Sequence, residues 1–199
     1  MTISITVCNL ALGELRAPPI VDIAEDSLEA RECARYYPQC LRILLERHDW
    51  AFANRRAALG ELAVNDRAKE WAHAYILPAG CATALRLVTA HGGAVDFIVE
   101  NRTLYTQLAD AVLEYAANDV TDSEMSGLFV DALAFALAAR LAVPIRDSRE
   151  IKGQLLQQAE IAWQRAVAED RNRQPERDAA GIDTVALVRL GAALGRWVR

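Results

Sequence analysis

The sequence predicts a mainly α protein: a helical bundle around a central apolar helix, with a small inserted antiparallel β-sheet and a C-terminal amphipathic segment. Three observations carry this. Residues 121–145, TDSEMSGLFVDALAFALAARLAVPI, place apolar side chains on nearly every helical face, the pattern of a helix buried on all sides. Helical spacing of apolar residues recurs on either side of it, from Asp26 to Leu45 and from Asp147 to about Gln174. Between the first of these and the central helix, residues 71–116 change to a period of two, broken by turn signals.

The chain has 199 residues and is 53% hydrophobic, which suits one domain with a sizeable core. We place that domain at 1–176, its inserted sheet at about 71–116, and a linker with a docking segment at 177–199. The formal charge of −5 argues against a protein that grips nucleic acid, because such affinity comes from clustered Lys and Arg. Cys8, Cys33, Cys40 and Cys81 form neither a CxxC pair nor a zinc-ligand spacing, so a reducing cytoplasmic site of synthesis is expected. Cys33 and Cys40 fall two turns apart on one helix, roughly 10 Å between Cα atoms, beyond disulfide reach. No basic region precedes the apolar ITVCNLAL, and Asp131 and Arg140 interrupt the central helix. A soluble protein with no membrane partner is therefore expected.

Taken in order, residues 2–23 alternate at Ile3, Ile5 and Val7 and then reach Pro18-Pro19, which predicts an extended or loosely helical arm. Asp26, with Glu29 three residues on, predicts the start of an amphipathic helix over Ala30, Ala34, Tyr37, Leu41, Leu44 and Leu45. Pro38 predicts a kink or a break in it. Trp50 and Phe52 follow as an aromatic plug at one end of the core. Arg55, Arg56 and Arg67 lie in a polar, alanine-rich stretch that reads as a solvated connection. The alternation of Trp71, His73, Tyr75 and Leu77, the runs 85–88 and 95–99, a hairpin turn at Asn101-Arg102, and the apolar run 111–115 supply the strands. Thr121 and Glu124 have the spacing of a capping box for the central helix, and Pro144 marks its end. Asp147 and Glu150 repeat that signal for the next helix. On a helical wheel Leu187, Leu190, Leu194 and Val198 form one narrow stripe, with Trp197 beside it and Arg189 and Arg196 opposite. Such a stripe suits either folding back on its own domain or docking on a partner.

Catalytic motifs are absent from the sequence: there is no GxSxG, HExxH, GxxxxGK[ST] or GxGxxG. No catalytic residue, cofactor or metal ligand is assigned, and His48, His73 and His91 are expected to be surface or hydrogen-bonded histidines. Two other readings stay open. One is a virion-associated cell-wall hydrolase with Glu70 or Glu100 as general acid. The other is a monomeric ligand-binding or regulatory domain whose Trp50, Trp71 and Trp163 line a pocket.

Four stretches carry a resemblance. NLALGELRAPPIVDIAEDSLEARECARYYPQCLRILLERHDWAFANRRAAL, EWAHAYILPAGC, LYTQLADAVLEYAANDVTD and FVDALAFALAARLAVPI, in this order between residues 9 and 170, are similar to the tail tubular protein A family, the head-to-tail adaptors of short-tailed bacteriophages. The resemblance implies a non-enzymatic structural component of the virion, made in the host cytoplasm and located at the head-tail junction. It implies a homo-oligomeric ring, twelvefold, between portal protein and tail nozzle protein. That ring extends the channel for double-stranded DNA, without specific binding, and helps retain it. In this picture Leu187, Leu190, Leu194, Trp197 and Val198 are the portal-binding anchor.

Overall fold

The computed structural model describes residues 3–89 and 93–173. Within them the chain is mixed α/β, with four α-helices, 46% helix, and two antiparallel sheets of seven strands, 20% strand. The expectation of a mainly α bundle with one small sheet is therefore corrected. The strands begin at Asn54, before the expected insert, because Arg55 and Arg56 belong to a strand rather than to a solvated connection.

The helices form one lobe. Helix α1 (Ile5–Glu14) replaces the expected arm. Ser4 caps it by accepting the Val7 N–H at 3.2 Å, and Val7, Cys8, Ala11 and Leu12 are buried against the rest of the lobe. The alternation of Ile3, Ile5 and Val7 is thus overridden by a cap and by burial of one helical face. Helix α2 (Leu28–Glu46) starts from Ser27, not Asp26, with the Ser27 hydroxyl accepting the Ala30 N–H at 3.2 Å. It runs unbroken through Pro38, because Cys33, Tyr37, Cys40, Leu41, Leu44 and Leu45 bury a continuous face on both sides of the ring.

Helix α3 (Gly127–Arg146) is the central one, packed by α1, α2 and α4. Phe129, Leu133, Leu137 and Leu141 are buried, and Ala132, Ala134, Ala138, Ala139 and Ala142 let neighbouring helices come close. Its 20 residues are long and apolar enough to cross a bilayer, contrary to what Asp131 and Arg140 led us to expect. In this fold the surrounding helices take the place of lipid. Thr121 and Glu124 do bond each other, Glu124 Oε2 accepting the Thr121 N–H at 2.7 Å. They close a turn, however, and the cap of α3 is Ser126, which accepts the Phe129 N–H at 3.2 Å. We therefore expect Ser126→Ala to cost about 1 kcal/mol in urea unfolding, and Thr121→Ala, in an exposed turn, less than half of that. Pro144 sits inside the last turn, and the helix ends where Asp147 turns left-handed (φ 48°). Asp147 is thus the end of α3 rather than the cap of α4 (Arg149–Arg173), which is Ser148.

The second lobe contains both sheets. Strands β1 (Asn54–Ala58), β7 (Val112–Ala117) and β4 (Cys81–Val88) pair in that order. Strands β2 (Gly60–Glu61), β3 (His73–Ile76), β6 (Thr103–Thr106) and β5 (Phe97–Glu100) form the other sheet. The expected hairpin joins β5 to β6, with Asn101 (φ 45°) and Arg102 (φ 66°) both left-handed, as a two-residue primed turn requires. Tyr75, Leu77, Leu87, Leu104 and Leu113 from both sheets meet in one apolar cluster, separate from the helical core. An Arg55–Glu124 ion pair ties β1 to the approach of α3.

Candidate interaction surface

Helices α2 and α4 flank α3 and leave a shallow groove of about 160 Å³ between them. Cys40, Ile43 and Leu44 form one wall, Ala136 and Arg140 of α3 the floor, and Leu156 and Ala159 the other wall. Ile43 is 37% and Leu156 51% exposed, so each helix presents a large apolar side chain to solvent across the groove. The volume falls below the several hundred Å³ of small-molecule sites. It suits an apolar side chain projecting from another helix, as in knobs-into-holes packing.

The rim of this groove is pinned. The Arg47 guanidinium donates to Glu160 Oε2 at 2.8 Å and lies 3.8 Å over the Trp163 ring. Next to it Asp170, nearly buried, pairs with His48 Nε2 at 3.1 Å and accepts the Ala51 N–H at 3.2 Å. These bonds lock the end of α2 and the following loop to the C-terminal half of α4.

The sheet lobe holds a polar constellation that the sequence reading missed. Glu114, only 3% exposed in the middle of β7, accepts from Arg56 of β1 and Arg86 of β4, both at 2.9 Å. Burial pushes its carboxyl up, but the hydrogen bonds and charges of the two guanidiniums outweigh this and hold it below the ordinary value. A single carboxylate in the apolar run VLEYAA was the available signal. Its partners could be found only from the strand register, which sets Arg56 and Arg86 directly opposite it.

The remaining sequence candidates separate. Leu187, Leu190, Leu194, Trp197 and Val198 lie outside the described residues, as does His91. Glu70 and Glu100 come together, but on one arginine: Arg67 reaches Glu100 at 2.9 Å and Glu70 at 3.4 Å. Glu70 and Glu100 are exposed and Arg67 half-buried, so the three form a surface ion-pair cluster rather than a dry cleft. Trp50 is core, Trp163 stacks under Arg47 beside α2, and Trp71 lies in the sheet lobe, where its carbonyl accepts from Asn65. They do not line a common pocket. His48 and His73 are hydrogen-bonded, the latter to Glu61 at 2.7 Å. The four cysteines are buried, and Cys8 of α1 and Cys33 of α2 are in hydrogen-bond contact. That bond, aided by burial, pushes the Cys8 thiol up, while the same bond lowers Cys33. No group of three or more His, Cys, Asp or Glu among the described residues is arranged to hold a metal ion.

These features define a two-lobed α/β protein whose helical lobe presents an apolar, pinned groove. No family model and no curated protein matches the sequence.

Proposed function

We propose that this protein is a head-to-tail adaptor, a structural virion component that joins the portal to the tail nozzle and extends the DNA channel as a ring of its own copies. The observation that carries the reading is the ordered resemblance between residues 9 and 170. Its four stretches fall on α1 and α2, on β3 and the turn after it, on β6 and β7, and on α3, so the likeness runs through both lobes. Two further features support it. The excess of 27 acidic over 22 basic residues suits a wall past which DNA slides. Exposed Leu28 and Ile43 on α2 and Leu156 and Ile161 on α4 supply apolar surface for contacts between subunits.

In this reading the stripe Leu187, Leu190, Leu194 and Val198, with Trp197, anchors the portal. Light scattering behind size exclusion, on the protein alone and mixed with the portal assembly of the same phage, tests it. The expected result is a stoichiometric complex, twelve copies added to each portal ring; no complex at low or moderate salt overturns the proposal. Leu190→Asp combined with Leu194→Asp should abolish the complex, because two buried charges would cost far more than a rim contact contributes, while the circular dichroism of the free protein stays the same. Intact portal binding in that variant would remove the anchor assignment alone.

A further inference from the structure

At the end of the helical lobe where α3 hands over to α4, a second and wider cleft opens, of about 510 Å³. Tyr36 of α2, Arg140, Val143 and Pro144 of α3, and Arg149 and Lys152 of α4 line it. Three of these six side chains are cations, and no carboxylate is among them. None of Arg140, Arg149 and Lys152 makes an ion pair among the described residues, a state they share with Arg16, Lys69, Arg102, Arg146, Arg165 and Arg171; what sets them apart is that they line one cleft together. In a chain with more acids than bases, three cations around one cleft with no carboxylate in its lining make a local positive field that favours an anion.

The backbone adds to this field. The first turn of α4 begins at the cleft, and its N-terminal end carries partial positive charge. The carbonyl end of α3, which meets the same corner, is closed by the N–H groups of Asp147, at 2.9 Å, and Ser148, at 3.4 Å. On the third side the Arg35 guanidinium, paired with Glu32 at 3.8 Å, sits 5.2 Å over the Tyr36 ring, so this wall adds an aromatic face and no further net charge.

We propose that the cleft binds a polyphosphate, holding adjacent phosphate groups of a nucleoside polyphosphate or of a nucleic-acid backbone. Its volume lies in the range of ligand sites. Two guanidinium forks match phosphate oxygens in bidentate geometry, and Lys152 adds a point charge. A lone carboxylate would leave most of the positive charge uncompensated. Tyr36 offers a flat apolar surface to a sugar or base. The proposal is independent of the adaptor reading, since it needs neither a portal nor a ring.

The test is calorimetric titration of the full chain with inorganic tripolyphosphate at low ionic strength, followed by competition with a short DNA duplex. Saturable one-site binding is expected, weakening as salt is raised. Arg140→Gln and Arg149→Gln should each weaken it about tenfold, the loss of one charge-assisted contact, with unchanged circular dichroism because both side chains are exposed. Arg149→Lys should recover part of the loss. Displacement of tripolyphosphate by the duplex assigns the site to a nucleic-acid backbone; retention assigns it to a soluble polyphosphate. No saturable binding up to about millimolar ligand, a range that still reports weak sites, would overturn the proposal. So would binding unaffected in the Arg140→Gln, Arg149→Gln double variant, or citrate binding as tightly as tripolyphosphate.

Discussion

Trp50→Ala is expected to lower the unfolding free energy by about 3–5 kcal/mol, the range for removing a large aromatic from a packed core. Trp50 is 1% exposed, and its ring meets Phe129 of α3 edge-on with centroids 4.8 Å apart, Phe52 at 5.7 Å and His48 at 4.8 Å. Its indole N–H donates to the Leu44 carbonyl at 2.8 Å, so truncation both opens a cavity and leaves a buried acceptor unpartnered. In a protein of this length the loss should appear as a fall of roughly 10 °C in the melting temperature. Trp50→Phe separates the two contributions: it keeps most of the ring, loses the hydrogen bond, and should cost about 1–2 kcal/mol. Urea unfolding followed by circular dichroism reads both variants without using tryptophan as the probe. A loss under about 1 kcal/mol for Trp50→Ala would mean that α3 is not organised around this aromatic cluster.

Glu114→Gln is expected to cost about 2 kcal/mol at neutral pH, with a dependence on pH that identifies the cause. Hydrogen bonds to charged groups contribute roughly 1.5–3 kcal/mol each. Arg56 and Arg86 are, however, 61% and 51% exposed, and when released they regain water, so the two bonds do not simply add. The sign of the pH effect follows from the lowered carboxyl of Glu114. The folded state binds this proton less readily than the unfolded chain, so the stabilisation is present above the ordinary value of 4.5 and is lost as the pH falls through the folded value. The stability gap between the native protein and Glu114→Gln should therefore be constant from about pH 7 down to about pH 5 and close below that. A gap that stays constant to about pH 3 would show that the carboxylate charge is not what joins β1, β7 and β4.

Much of the helical lobe was legible because helical periodicity is a local signal. Residues 127–146 form the expected buried helix, and α2 and α4 follow apolar spacings set by their own side chains. The hairpin at Asn101-Arg102 was legible for the same reason, since turn chemistry acts within a few residues. Helix starts were misplaced by one to five residues wherever two polar residues competed. Ser27 lies beside Asp26, Ser126 lies five residues after Thr121, and Ser148 follows Asp147. The choice among them depends on which start brings the apolar face into register with its neighbours.

The sheet lobe shows the opposite case. Arg55 and Arg56 look solvated in isolation, and only pairing with β7 places Arg56 on Glu114 and frees Arg55 to reach Glu124. The first residues read as an extended or loosely helical arm in isolation, and only burial of Val7, Cys8, Ala11 and Leu12 in the helical core makes them a regular helix. The cations Arg140, Arg149 and Lys152 lie within one short stretch of sequence, but the cleft needs the turn between α3 and α4 to bring them together and Tyr36 of α2 to supply its third wall.

What the sequence by itself determined about this protein is the set of buried faces, because apolar periodicity encodes the burial of each segment without reference to any other. What only the tertiary structure decided is the balance of strand against helix, the partner of each buried charge and the clefts of the helical lobe. Strand pairing, ion pairing and concavity are relations between distant segments, and their free energy is gained only once those segments meet.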